Sequence, residues 1–554
     1  MMGFKKSIRV NLCDCFAIYA NAPSWVEKIL VGLFSIGFAC VGGSSAFAED
    51  RTNVVLIIVD DMGYSDIGCY GSEIPTPNID SLAENGLRFR QFYNTAKCWT
   101  TRASLLTGLY YHQVTELKIL ERKGVTIAEA LGENGYRTIM SGKWHLSGGQ
   151  LDNPEFQPLA RGFDEFYGTI LGAGSFYDPY TLQDGDKRIE PDEDFYYTDA
   201  ITEHAVNSLR AVAKEGTPFF HYVAYTAPHW PMQAPPEEIE KYKHLYRKGW
   251  DAIREERYAK QLELGVVDAR WGASGRDSQV AAWDENDPDR EWQIHRMATY
   301  AAMLNIVDRG VGQIIDQLKT QGAFDNTLIL FMSDNGGSPE DIGFNNGVFC
   351  LGGSQTTLSG THVQVGRDTG VLPGPEETFQ GVGREWANVN NTPFREFKNW
   401  CHEGGIATPL IAHWPKGIAR KGELSDEVSH VIDIMATCLE VTGTSYPIEY
   451  KGNRIIPHEG KSLAPTFAGK TLGERTVFWD YANHAAVRSG KWKLLAPSTK
   501  KIEWELYDME ADRCELNDLA DDLPEKVQAM GDLYKSWQAH VGPDRNKAKP
   551  STAK

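Results

Sequence analysis

Four segments of this chain that read as buried strands each stop at residues that carry chemistry, and this pattern restricts the fold more than any other feature. Asn53-Val54-Val55-Leu56-Ile57-Ile58-Val59 ends at Asp60-Asp61, and Tyr136-Arg137-Thr138-Ile139-Met140 ends at Gly142-Lys143-Trp144-His145. Phe219-Phe220-His221-Tyr222-Val223-Ala224 ends at Ala227-Pro228-His229, and Thr327-Leu328-Ile329-Leu330-Phe331-Met332 ends at Asp334-Asn335-Gly336-Gly337. Runs of this kind are expected of parallel strands covered on both faces. Between them, residues 78–86, 126–135 and 303–322 carry apolar residues at helical spacing, each closed by glycine. Strand alternating with helix predicts an α/β fold with a large, mostly parallel or mixed sheet flanked by helices. Ligands gather beyond the carboxyl ends of such strands. Asp60, Asp61, Lys143, His145, His229, Asp334 and Asn335 are therefore expected at one edge.

Cys98-Trp99-Thr100-Thr101-Arg102-Ala103-Ser104-Leu105-Leu106-Thr107-Gly108 follows the polar Thr95-Ala96-Lys97 instead of lying inside an apolar run. A helix expected over 101–109 places Cys98 at a helix amino end, where free N–H groups and the dipole favour an anion. That setting suits a reactive cysteine. Taken singly, Asp60-Asp61 and Asp334-Asn335 also read as turn residues, Lys143 as a surface charge, His145 as a loop residue and His229 as a structural histidine. Together, Asp60, Asp61, Asp334 and Asn335 supply three carboxylates and an amide oxygen, hard donors suited to calcium or magnesium and not to zinc. Pro228 and Pro231 stiffen the loop around His229.

The Cys98–Gly108 segment resembles the nucleophile segment of type I sulfatases, members of the alkaline phosphatase superfamily. Trp99 and Thr100 stand where that family usually carries a small residue and proline. Gly135-Tyr136-Arg137-Thr138-Ile139-Met140-Ser141-Gly142-Lys143-Trp144-His145 resembles its second motif. Thr392-Pro393-Phe394-Arg395-Glu396-Phe397-Lys398, followed by His402-Glu403-Gly404-Gly405, resembles the arylsulfatase segment whose lysine grips the sulfate. The resemblance runs from about Thr52 to Tyr507 and implies that Cys98 is converted to formylglycine (3-oxoalanine) by a maturation enzyme. One hydroxyl of its hydrate attacks sulfur and displaces the alcohol or phenol, and loss of a proton from the other expels sulfate. It implies one calcium ion, magnesium being less suited, held by Asp60, Asp61, Asp334, Asn335 and residue 98. In the mechanism the resemblance implies, calcium and Lys398 would hold the sulfate, Arg102 and Lys143 would steady the diol, His229 would protonate the leaving oxygen and His145 would assist. Lys143, His229 and Lys398 are expected to touch substrate, an aryl sulfate or a sulfated carbohydrate. Arg395, His402 and Glu403 read as neighbours of the site or as structural residues.

Lys5, Lys6, Arg9 and Lys28 precede an apolar run from Ile29 to about Val41, and Ala46-Phe47-Ala48 offers a small-x-small cleavage site. Residues 1–48 thus read as a removable signal peptide for a periplasmic or secreted protein, with no stable membrane span after its removal. The net charge of −19 becomes −21 without this leader's four basic and two acidic residues, which argues against a nucleic-acid partner. Of the 9 cysteines, those beyond the leader show no metal-ligand spacing and indicate no disulfide scaffold. The expected division is a catalytic domain over 49–470, a C-terminal subdomain over 471–545 built on an antiparallel sheet, and a disordered tail over 546–554. The glycine- and proline-rich stretch 451–469 reads as a linker, and 242–291 and 344–391 as long insertions outside the alternation. Two other readings fit the motifs: a formylglycine-dependent phosphonate monoester hydrolase or phosphodiesterase, and a non-catalytic module that binds sulfated glycans.

Overall fold

The first strand, β1 (Asn53–Val59), is apolar and buried from Val54 onward because it faces a core on each side. Val55, Ile57 and Val59 enter one core, and Val54, Leu56 and Ile58 enter the other. The computed structural model describes residues 51–343, 352–357 and 359–546. The expected signal peptide, and the expected tail beyond Asn546, lie outside the described residues.

Along the chain follow α1 (Pro77–Glu84), β2 (Leu87–Tyr93), α2 (Cys98–Thr107), β3 (Arg137–Gly142), β4 (Glu165–Thr169), α3 (Tyr197–Glu215) and β5 (Phe219–Ala224). Then come α4 (Gly249–Glu263), α5 (Arg290–Thr320), β6 (Thr327–Ser333) and β7 (Ala407–His413). Among the described residues the main sheet has 11 strands. Its order is Glu423–Ser425, β2, β7, β6, β1, β5, β3, β4, Leu182–Asp184 and Lys187–Arg188, with Ser429–His430 also paired to β2. The central strands β6, β1, β5, β3 and β4 run parallel. β7 is antiparallel to both β6 and β2, so the sheet is mixed.

Register brings the chemistry together. Val59 lies opposite Ser333, Ile58 opposite Met332 and Ala224, and Ala224 opposite Gly142. The four carboxyl ends are level, so the segments that follow them leave at one edge. Gly142 is needed there: its φ is 110°, and a Cβ would come within 2.1 Å of the Ala224 carbonyl oxygen.

Four sequence expectations change. α5 begins at Arg290, well before residue 303, because Trp292, Met297 and Tyr300 extend its buried stripe. The helix expected over 126–135 is shortened to Ile127–Gly132, with a Thr126–Glu129 capping box at its start. The 242–291 stretch contains the regular helix α4, whose Trp250, Ile253 and Arg257 are buried. The 451–469 stretch is no free linker, since Leu463 and Phe467 join the core that holds Ile434 and Met435. Its glycines and prolines shape turns while its apolar residues pack. Within 344–391 the described residues include a parallel pair, Gln364–Val365 with Thr378–Phe379, and the helix Gly383–Asn390.

The C-terminal sheet is antiparallel, as expected, and runs in sequence order: β8 (Thr476–Tyr481), β9 (His484–Ser489), β10 (Trp492–Ala496) and β11 (Glu505–Asp508). The final helix, α6 (Pro524–Val541), packs a stripe of Met530, Tyr534, Trp537 and Val541 with Val487, Leu494 and Leu506 of that sheet. No described helix is long and apolar enough to cross a membrane.

Candidate active site

At the level edge of the sheet, one buried network joins Asp60, Asp61, Arg102, Lys143, His229, Asp334, Asn335 and Lys398. Arg102 donates to Asp334 Oδ2 from Nε (3.0 Å) and Nη2 (2.8 Å), to Asp60 Oδ2 (3.2 Å), and to the Lys143 carbonyl (3.0 Å). Lys143 Nζ pairs with Asp60. Asp61 accepts from Lys398 Nζ (2.6 Å) and from Asn335 Nδ2 (2.6 Å), and His229 Nε2 lies 3.5 Å from its Oδ2. Asp61 takes φ 65°, a backbone conformation uncommon for a non-glycine residue and enriched at functional turns.

Three buried carboxylates thus face three buried cations. Partners of this kind are what make buried charge tolerable, but the balance leaves no net positive charge to attract an anion. A divalent cation would supply it. The donor set fits one: Asp60 Oδ1 and Asn335 Oδ1 are buried with no hydrogen-bond partner among the described residues. Asp60, Asp61 and His229 each bring a ligand atom to within 4.8 Å of the others. Burial alone would raise the Asp60 carboxyl, yet Lys143, His229 and Arg102 hold it below the usual range. Asp334 is pushed up, by burial first and by the Asp60 charge next.

Cys98 is the first residue of α2, three positions earlier than the expected helix start, and is 1% exposed. Lys97 caps the helix in extended conformation, and Thr100 Oγ1 donates to the carbonyls of Lys97 (2.8 Å) and Thr95 (3.1 Å). Trp99 packs edge-on against Tyr111 and Tyr481, at 5.1 and 6.2 Å between ring centres. Of the two residues that depart from the usual motif, Thr100 therefore braces the turn and Trp99 packs the helix start against Tyr111 and Tyr481. Burial raises the Cys98 thiol pKa, and nearby Lys143 and Lys398 pull it down only in part. The unmodified thiol is protonated at neutral pH and so a poor nucleophile.

His229 Nδ1 bonds the Trp230 carbonyl at 2.7 Å, so Nδ1 carries the proton and Nε2 faces Asp61. Burial pushes this imidazole down to about 4. His145 adopts φ 62° and is kept uncharged by burial and by Lys143 and Arg102. Its Nδ1 has no hydrogen-bond partner among the described residues, so only electrostatic proximity links it to the network. The Lys398 loop is packed directly on the 334–337 turn, where a Cβ on Gly336 would come within 1.8 Å of the Gly404 carbonyl oxygen.

Arg395 and Glu403 turn away to a second charged cluster: Arg395 bonds Glu505 and Glu403 bonds Lys493. Sequence reasoning missed Glu340, which bonds Lys97 and lies 3.8 Å from Lys398. It also missed Tyr300, whose hydroxyl contacts the Asp61 carbonyl at 3.3 Å and donates to Asp66 at 2.6 Å. Neither belongs to a motif, and nothing local in the sequence marks them.

The Sulfatase family profile matches residues 52–444, and that of N-sulphoglucosamine sulphohydrolase, C-terminal, matches 396–538. An arylsulfatase of Klebsiella aerogenes is 31% identical over 475 residues, spanning 80% of this chain and 97% of its own. An N-acetylglucosamine-6-O-sulfatase of Bacteroides thetaiotaomicron is 26% identical over 568 residues, spanning 91% of this chain and 88% of its own. The crystal structure of Ps i-CgsB with k-i-k-neocarrahexaose superposes with a TM-score of 0.65 at 26% identity, over 91% of this chain and 95% of that one. From β1 through the C-terminal sheet, then, the chain belongs to the sulfatase family and is a sulfuric ester hydrolase.

Proposed function

We propose that this hydrolase cleaves aryl sulfates or sulfated carbohydrates through formylglycine at position 98 and one calcium ion, in an exported, periplasmic or secreted protein. The observation that supports it best is the charge-balanced buried network beside Cys98, with two oxygen acceptors left unpaired. Asp60, Asp61, Asp334 and Asn335 would hold the ion, which when bound supplies positive charge for the sulfate oxygens. Formylglycine, once hydrated, supplies the nucleophilic hydroxyl that a protonated thiol lacks.

The chain's own side chains do the rest. Arg102 pairs with Asp60 and Asp334, favours their charged forms against burial and holds both in place, and it fixes Lys143 through its carbonyl. Lys143 stabilises negative charge at residue 98, and Lys398 Nζ donates to a sulfate oxygen. His229, with Nδ1–H held on the Trp230 carbonyl, directs Nε2 to the leaving oxygen. An anion bound beside it raises its affinity for the proton it must deliver. His145 assists at residue 98. A maturation enzyme acting on Cys98 and the division into 49–470 and 471–545 belong to the same reading.

Three measurements test it. A p-nitrophenyl sulfate should be hydrolysed at least about tenfold faster than the matching phosphonate monoester, a barrier difference of ~1.4 kcal/mol. Chelation should remove that activity and added calcium restore it. Preference for the phosphonate rejects the substrate class, and indifference to chelation rejects the ion. His229→Ala should lose about 10²–10⁴-fold on alkyl sulfates, whose leaving oxygen needs a proton, and much less on activated aryl sulfates. Equal losses on both would remove His229 from the acid role.

A further inference from the structure

Glu340 stands on the loop that follows Asp334-Asn335, partly exposed, and its carboxylate accepts three hydrogen bonds. Oε1 takes Lys97 Nζ at 3.0 Å and Asn399 Nδ2 at 3.2 Å, and Oε2 takes Trp230 Nε1 at 3.1 Å. Each donor is the sequence neighbour of a site residue: Lys97 precedes Cys98, Trp230 follows His229, and Asn399 follows Lys398. Asn399 itself is held at φ 80°, and its backbone N–H donates to the Ala96 carbonyl at 2.8 Å. Lys398 Nζ lies 3.8 Å from Oε2 while bonding Asp61. One side chain thus reaches segments that leave three other parts of the fold.

An isolated, partly exposed ion pair contributes little to stability, and Glu340–Lys97 alone would be dismissed on that ground. The convergence argues otherwise. The strands define where each segment starts, but the loops beyond them have no ladder to hold their register. A single acceptor that binds the neighbours of residues 98, 229 and 398 sets those loops relative to one another. We propose that Glu340 is a positioning residue that registers the nucleophile turn, the His229 loop and the Lys398 loop for catalysis. This rests on the reading of residues 98, 229 and 398 as the reacting set.

The test uses Glu340→Ala and Glu340→Gln in the mature enzyme. Misplacement of reacting groups by about 1 Å costs on the order of 10²-fold, so kcat on an aryl sulfate should fall by about that factor in E340A. E340Q keeps one acceptor oxygen and should recover part of the loss. Asn399→Ala should add nothing further in the E340A background, because both act through one contact. Hydrogen exchange should speed up in peptides covering 226–232 and 395–402 and stay unchanged in β1 and β6. An E340A enzyme within about twofold of wild type, additive effects of the two substitutions, or unchanged loop exchange would each overturn the proposal. If wild type released no sulfate from any ester, the functional reading would fail, while the exchange measurement would still decide the positioning role.

Discussion

Cys98→Ala should abolish sulfate release while the protein still folds. The side chain is small, and alanine is the best helix former at a helix start, so the melting transition should hardly move. Activity should drop by roughly 10⁴-fold or more, the scale seen when a nucleophile is removed from a preorganised site. The geometry explains why residue 98 carries so much. It begins α2, within the field of Lys143, Lys398 and Asp60, yet its burial favours the protonated, less nucleophilic thiol. Mass spectrometry of the wild-type peptide containing residue 98 should find the lighter aldehyde form when the protein is made together with a maturation enzyme. A fully active Cys98→Ala variant, or a fully active protein whose Cys98 is all thiol, would dispose of the mechanism. An idle thiol with no turnover in any preparation would favour the glycan-binding module.

The largest loss of stability is expected at the second charged cluster. Lys493 Nζ of β10 lies 2.9 Å from Glu403 and 2.7 Å from Glu515, and Arg513 Nε lies 2.9 Å from Glu403. All four side chains are at most 1% exposed. Burial would raise the Glu403 carboxyl, but Lys493 and Arg513 hold it below its usual range; burial drives Glu515 upward. Arg513 is enclosed by aromatic rings, with Phe394 at 4.8 Å and Trp271 at 5.3 Å. Lys493→Met would leave two buried carboxylates facing each other without their shared cation. Breaking one partner of such a cluster typically costs about 3–5 kcal/mol, to be read from the shift of the urea midpoint. Lys493→Met with Glu515→Gln should recover part of that loss, because the repulsion is then removed. A shift under about 1 kcal/mol for Lys493→Met would show that the cluster is solvated and not a lock between the Lys398 loop and the C-terminal sheet.

Much of the candidate site is legible in the sequence. Asp60, Asp61, His229, Asp334 and Asn335 are legible because each follows a largely apolar run that reads as a buried strand, and Lys143 because its segment resembles a family motif; such strands deliver their ends to one edge. Cys98 and Arg102 are legible from a motif, but the helix begins three residues before the expected Thr101, since Thr100 and Thr101 bond the turn from within the helix. Position 340 carried no such signal. An acidic residue after Ser338-Pro339 reads as any surface carboxylate until the partners from three other loops are seen. The same holds for Lys493 and Arg513, which look like ordinary charges on a sheet and a turn, and for Leu463 and Phe467 in a stretch that reads as a linker.

The amino-acid order alone determined the α/β alternation, the two-sided burial of the central strands and the residues at their carboxyl ends, because these follow from local periodicity. Only the folded chain decided which cation sits on which carboxylate, that β7 runs antiparallel, and that Glu340 ties the loops together. Those outcomes depend on contacts between segments far apart in sequence, whose energies exist only once the sheet register has brought them within a few ångströms.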